Sequence, residues 1–487
     1  MLTLIYLSSG LFFGWSLGAN DAANIWGTAV ATKMVRFRLA ALICSLFVII
    51  GSTISGAGAS QTLGKLGAVN EIAGAFMVAL SAGLTVYGMT RLNLPVSTSQ
   101  AIVGSIIGWN FFAGMLTDYA VLGKIVSSWI ASLLLAGIFS YLLFKIYRRI
   151  VPALRISIFR IDSYIRFGLI LLGAFGSYAL GANNIANVMG VFVPISPFKS
   201  FQIGPFELTG ATQLFLLGSL AIALGVYTYS ERVMITVGKK ITRLDPQRAL
   251  VVILSTALVQ FLFASSGLNR LLSALHLPRV PLVPVSSSQL VIGAIIGIGL
   301  AGHQKAQIQI KTLAKIVMGW ITTPVAAALV TFFCLFVLQN VFDQKVYRKV
   351  AYAIDETVAL RLAQEGVLLD WQNLEGDYRN AYQLNRALQP YHLDKVTLQQ
   401  VFQIAEVDNI NIVNSQRFAR KVRGWFTETE IKGILLLESS TFRHKWQLAD
   451  RLRIINPIWD SRRYKSEAAR DAYQRKFEYL VNYFRIE

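Results

Sequence analysis

The chain has 487 residues, 54% of them hydrophobic, and a formal charge of +20 from 46 Lys plus Arg against 26 Asp plus Glu. Such a surplus would suggest nucleic acid in a soluble protein, but residues 1–340 hold 23 basic residues beside only seven acids, whereas residues 341–487 hold 23 beside 19. The surplus therefore lies among long apolar runs, which argues against a nucleic-acid partner and for an all-α polytopic membrane protein, since about 18 to 28 apolar residues cross roughly 30 Å of hydrocarbon.

The first expected segment, about residues 2–32, is interrupted by Gly18-Ala19-Asn20-Asp21-Ala22-Ala23-Asn24. No basic residue precedes its apolar start and the same motif recurs internally, so residues 1–17 are expected to be part of the mature protein rather than a signal peptide. A basic turn with Lys33, Arg36 and Arg38 leads to segments near 39–57 and 68–90, the second following Gly-rich polar sequence up to Leu66. Pro95-Val96-Ser97-Thr98-Ser99-Gln100 then opens a segment reaching Leu116, and a fifth covers about 121–144.

After the basic stretch from Lys145 to Arg166 the scheme repeats, near 167–191, 208–229, 249–267, 284–301 and 316–339, with extra loop residues at 194–207 and 268–283. Gly181-Ala182-Asn183-Asn184-Ile185-Ala186-Asn187 stands in the first of these and Pro284-Val285-Ser286-Ser287-Ser288-Gln289 opens the fourth. Residues 18–30 and 181–193 agree at seven of thirteen positions, and 95–110 and 284–299 at nine of sixteen, which marks an internal duplication. Five crossings per half is an odd number, so the second half is expected to be inverted. The expected division is a first membrane repeat (1–147), a basic cytoplasmic linker (148–166), an inverted second repeat (167–340) and a soluble, mainly helical accessory domain (341–487). Basic clusters placed inside put the N-terminus outside.

Cys44 and Cys334 both fall in apolar runs, make no metal or disulfide spacing, and are expected to be small core residues. The tail, with Trp371, Trp425, Trp446 and Trp459, contains no enzyme motif.

Six of the seven acids before residue 341 fall in or beside loops, whereas Asp21 is inside a spanning segment, where a carboxylate is functional by default. Asn20, Asp21 and Asn24 offer oxygen ligands within about one helical turn, and Gly18 and Ala19 allow the backbone to unwind or approach a neighbour closely, which points to a site for a hard cation such as Na⁺. The two Pro-Val-Ser stretches are expected to start helices, with proline near the first turn and hydroxyls available as caps. Two such termini converging near the midplane would form an oxyanion cradle of N–H groups, hydroxyls and Gln amides. Neither motif contains Lys or Arg, so cotransported cations would neutralise the anion, and filling of adjacent sites would be coupled.

These paired motifs, covering about residues 1–340, resemble the inorganic phosphate transporter (PiT) family; the tail lies outside the resemblance. It implies a secondary active transporter with inverted repeats and broken helices, moving inorganic phosphate across the cell membrane with Na⁺ or H⁺ by alternating access around a midplane site, without a tightly bound cofactor. On that basis Asn20, Asp21, Asn24, Asn183, Asn184 and Asn187 are candidate Na⁺ ligands. Asn24, Ser97, Thr98, Ser99, Gln100, Asn187, Ser286, Ser287, Ser288 and Gln289 are candidate phosphate ligands.

Many members of that family carry Asp in both signatures, where this chain has Asn184, and often a glutamate in the following segment, which residues 39–60 and 249–267 lack. Two alternatives stand beside phosphate symport: a sulfate permease of the same design, and an anion sensor signalling through the tail. Phosphate can donate a hydrogen bond to Asp21 and sulfate cannot, which favours phosphate. No histidine accompanies the serines, so an enzyme is not expected. The expected partners are phosphate and the bilayer of a plasma or inner membrane, with a homo-oligomer compatible.

Overall fold

The computed structural model describes residues 2–67, 69–91, 96–153, 157–198, 201–203, 206–236, 244–302, 310–367, 370–464 and 467–486. Pro95 and parts of the basic stretches, at 154–156, 237–243 and 303–309, lie outside them. The chain forms two compact units, Met1–Ala113 with Thr117–Arg348, and Gly114–Leu116 with Lys349–Glu487.

The first unit contains α1 (Leu2–Ala31), α2 (Phe37–Ser55), α3 (Ala57–Leu66), α4 (Ile72–Arg91), α5 (Thr98–Ala113), α6 (Tyr119–Ala153) and α7 (Ile158–Met189). A hairpin of β1 (Phe201–Ile203) and β2 (Phe206–Leu208) precedes α8 (Gly210–Thr236), α9 (Pro246–Ala264), α10 (Ser266–Ala274), α11 (Ser287–Ala301) and α12 (Ile310–Asn340). Among the described residues, seven helices are long and apolar enough to cross a membrane, and this is a multi-pass membrane protein. The ten expected segments correspond to α1, α2, α4, α5 and α6, then α7, α8, α9, α11 and α12.

Helices α5 and α11 differ from the rest, with 16 and 15 residues and a length of about 24 Å or less at 1.5 Å per residue, short of a full crossing. Each begins inside the protein. Ser97 Oγ accepts from Gln100 N at 3.3 Å and Ser286 Oγ from Gln289 N at 3.4 Å, so the first serine of each motif is the N-cap. Proline stands near the first turn, as expected: Pro284 lies two residues before the Ser286 cap. The Gly-rich stretch and the second extra loop, read as irregular, contain α3 and α10, which follow breaks at Gly56 and Ser265.

The signatures do not unwind. Both α1 and α7 run through them without interruption, and the glycines serve close packing instead. A Cβ on Gly18 would sit 2.0 Å from the Ile222 carbonyl oxygen of α8, and one on Gly181 2.2 Å from that of Val48 in α2. Gly14 meets Gly218 as Gly18 meets Ile222, so α1 and α8 run in the same direction. Likewise Gly51 meets Tyr178 and Gly56 meets Ile185, so α2 and α7 are parallel. In the same manner α5 packs on α12 and α6 on α11, with Gly104 against Pro324 and Gly293 against Leu133. Close approach of helices at small residues is the expected packing where no hydrophobic force separates helix from lipid. Cys44 is buried at the α2 face and Cys334 half-buried in α12.

The second unit is mainly helical. Its first part surrounds the antiparallel sheet β4-β3-β5 (Gly376–Tyr378, Ala351–Ile354, Glu406–Val407) with α13 (Glu356–Gln364), α14 (Ala381–Leu388) and α15 (Lys395–Ala405) on a core that includes Val358, Leu384 and Val401. The second part has the pair β6–β7 (Ile410–Asn411, Thr441–Phe442), α16 (Ser415–Val422), α17 (Glu428–Leu435), α18 (Lys445–Ile455) and α19 (Glu467–Phe484) around Phe418, Leu448, Leu452 and Leu480. Glu430 completes a capping box with Thr427 and binds Lys476 at 2.8 Å, so this largely buried carboxylate has its full set of partners.

Candidate functional site

The starts of α5 and α11 meet in the interior of the membrane unit. Ser99 Oγ donates to the Val285 carbonyl at 3.2 Å, and Ser288 Oγ to the Val96 carbonyl at 3.3 Å. The two bonds join equivalent residues of the duplication, since 96 and 99 align with 285 and 288. First-turn N–H groups of a helix lack intrahelical acceptors and carry the positive end of its dipole, so two such ends facing one another form an anion-binding arrangement.

Both signatures face this junction. Thr98 Oγ1 donates to Asp21 Oδ2 at 3.4 Å, and Asn184 Nδ2 to Ser287 Oγ at 3.4 Å, again between aligned positions. Asn20 Nδ2 donates to Asp21 Oδ1 at 3.0 Å, and the Ser287 hydroxyl also faces that carboxylate. Asn187 crosses between the halves: its Nδ2 reaches Ser99 Oγ and Asn184 Oδ1, both at 2.9 Å. Asn183 holds the approach to α11, accepting from Val285 N at 3.1 Å and donating to the Val283 carbonyl at 3.3 Å. Ser286 and Ser288 lie 3.0 Å apart. Asn24 is half-buried, three residues beyond Asp21 on α1.

Asp21 is 4% exposed, Asn184 and Asn187 are fully buried, and none of the side chains just named is basic. Buried polar groups almost always find hydrogen-bond partners, yet Gln100 Oε1, Gln289 Oε1 and Asn187 Oδ1 have none among the described residues. Three unpartnered oxygens and a carboxylate suit a hard cation, which takes oxygen ligands. Because the signature helices stay wound, the groups that they offer here are side chains rather than freed backbone carbonyls.

One contributor was missed in the sequence. Gln260 of α9 donates to Ser287 Oγ at 2.8 Å and is 2% exposed. It is the one amide side chain in the apolar stretch 249–267, and a polar group inside a span was signal enough.

Comparison with known proteins bears on this geometry. The sequence model of the phosphate transporter family matches residues 17–331 and again 279–484, so the match extends into the tail that the motif comparison left outside. A "Putative phosphate permease" of Pyrococcus abyssi is 27% identical over 403 residues, covering 67% of this chain and 95% of its own. Another from Methanocaldococcus jannaschii is 29% identical over 317 residues, covering 65% and 91%. A solved structure titled "The sodium-dependent phosphate transporter" aligns with a TM-score of 0.55 and 25% identity, over 70% of this chain and 99% of that one. Asp21, the half-helices α5 and α11 and the duplicated serines thus sit in a transporter rather than an enzyme, and the chain belongs to the phosphate transporter family.

Proposed function

We propose that the protein is a Na⁺-coupled symporter of inorganic phosphate in the cell membrane, working by alternating access of two inverted repeats. The reciprocal bonds Ser99 to Val285 and Ser288 to Val96 carry the proposal, because they bring two helix N-termini to one point beside Asp21. Phosphate would be held by the first-turn N–H groups of α5 and α11 with the hydroxyls of Ser97, Thr98, Ser99, Ser286, Ser287 and Ser288, and by the amides of Asn24 and Asn187. Na⁺ would take Asp21 together with Gln100 Oε1, Gln289 Oε1 and Asn187 Oδ1. Asn183, with both amide atoms on backbone, would be a positioning residue, and Asn20 and Asn184 would orient their neighbours.

Inversion is supported by helix direction. Gly14 of α1 meets Val188 of α7 whereas Gly173 of α7 meets Trp26 of α1, so α7 opposes α1, its counterpart in the duplication. Coupling follows from charge. A dianion among neutral donors and one carboxylate binds well only when cations are present, and a cation beside Asp21 gains from the anion in turn. The structural relative described as sodium-dependent favours Na⁺ over H⁺.

The test is radiolabelled phosphate uptake into proteoliposomes under an imposed Na⁺ gradient, an H⁺ gradient or neither, with unlabelled sulfate as competitor. Uptake driven by Na⁺ and insensitive to sulfate is expected. Uptake driven by H⁺ alone would remove Na⁺ from the scheme, and competition by sulfate at equal concentration would overturn the substrate assignment.

A further inference from the structure

Next to the phosphate junction, α1, α4 and α8 line a cavity of about 70 Å³ with Trp15, Asn20, Tyr87, Thr90, Arg91 and Tyr229, among others. A single water needs about 10–15 Å³ of such space, so the cavity admits a larger polyatomic guest. Asn20 belongs to both places: it lines the cavity and donates to Asp21.

Arg91 ends α4, and among the described residues its guanidinium donates only to the Tyr87 hydroxyl, from Nε at 3.1 Å and Nη2 at 2.8 Å. No carboxylate pairs with it among the described residues, and no acid lines the cavity. A guanidinium at the mouth of a cavity, among hydroxyl and amide groups, has the geometry that favours phosphate oxygens.

The matched pair in the other repeat is bonded directly. Trp15 and Tyr229 correspond to Tyr178 and Ser55 in the matched helix pairs, and Tyr178 Oη lies 2.8 Å from Ser55 Oγ. Asn183, the counterpart of Asn20, is fully buried and bonded to backbone. The open side is that of the C-terminal ends of α1 and α8, which carry or lead to Lys33, Arg36, Arg38 and Arg232, the cytoplasmic side by the distribution of basic residues.

We propose that this cavity is a cytoplasmic vestibule with its own subsite for a phosphate oxyanion, in which Arg91 holds the anion and Asn20 separates it from Asp21. The proposal rests on the transport reading above. The oxyanion is the transported phosphate or the headgroup of an anionic lipid, and the two are separable.

The full-length protein and Arg91→Gln and Arg91→Lys variants that elute as wild type are reconstituted in one orientation, and half-saturating phosphate is measured from each side. Arg91→Gln is expected to raise it about fivefold from the cytoplasmic side, with a much smaller change from the other, and Arg91→Lys to recover part of the loss. A variant that instead loses only its dependence on anionic lipid, when such lipid is exchanged for phosphatidylcholine, assigns the subsite to a headgroup. Active wild type with neither effect in Arg91→Gln overturns the subsite alone. Wild type inactive with phosphate under every gradient overturns the transport reading and the vestibule with it.

Discussion

Ser99 of α5 and the Val285 carbonyl ahead of α11 are joined at 3.2 Å across 186 residues, and the aligned pair Ser288 and Val96 repeats the bond at 3.3 Å. Each half-helix therefore depends on the other repeat for its position. Ser99→Ala is expected to lower stability by about 1 kcal/mol, the usual worth of one buried hydrogen bond, and to raise half-saturating phosphate about tenfold. Thermal unfolding in detergent and phosphate uptake check the two effects. Ser288→Ala should behave alike, and the double variant should fall short of the sum, since both bonds hold one junction.

Asp21→Asn keeps the shape of the side chain and removes the only carboxylate at the junction among the described residues. Driven phosphate uptake should be lost, while elution profile and melting temperature stay near wild type. Normal uptake would show that Asp21 takes no part in coupling.

Asn184 occupies the position aligned with Asp21 and donates to Ser287, to which Gln260 also donates. Asn184→Asp places a second carboxylate there and should steepen the dependence of uptake on Na⁺, with Gln260 retained as its donor through Ser287. Unchanged Na⁺ kinetics would remove position 184 from the cation site.

Gly18→Ala would bring a methyl group to 2.0 Å from the Ile222 carbonyl, where only backbone can move. A loss of several kcal/mol is expected, beyond the usual 1–3 kcal/mol or so of overpacking, read as aggregation or a large drop in melting temperature. A methyl group on Gly123 of α6 would meet nothing within 4 Å, and Gly123→Ala should be neutral or stabilising by about 0.5–1 kcal/mol.

In the second unit, burial holds the His444 imidazole below its ordinary value of 6.5; the Glu406 carbonyl, 2.6 Å from Nδ1, and Asp355 and Asp408 act in the other direction, while Arg443 adds to the lowering. A base lowered in the folded state stays neutral while the unfolded chain binds a proton. Stability of residues 406–484 should therefore decline as pH falls below 6.5 and level off below the folded value. Hydrogen exchange on the full chain between pH 7.5 and pH 5.5, about one unit on either side of the unfolded value, should show the loss, and His444→Gln should flatten it.

Much of this was legible in the residues because it depends on local order. A run of about 20 apolar residues must become a buried or lipid-facing helix, whatever surrounds it, and a motif present twice must be placed twice. The caps at Ser97 and Ser286 followed from the same logic, since they satisfy N–H groups three residues away. The isolation of Asp21 in an apolar segment singled out a residue on which Asn20 and Thr98 converge in the structure.

What the linear order could not decide was which partner each small or polar residue meets. Gly18 suggested either an unwound helix or a close neighbour, and only the approach of α8 selected the second, because a helix keeps its own hydrogen bonds when packing alone explains the glycine. The pairing of Ser99 with Val285, the service of Gln260 to Ser287, the cavity beside Asn20 and the contact of Tyr178 with Ser55 are products of chain segments far apart in sequence. Composition and periodicity determined that this chain is built of two related sets of membrane segments with a carboxylate in their midst; the side-by-side packing of distant helices decided which groups surround that carboxylate, because hydrogen bonds and steric contacts act over a few ångströms of space and not along the chain.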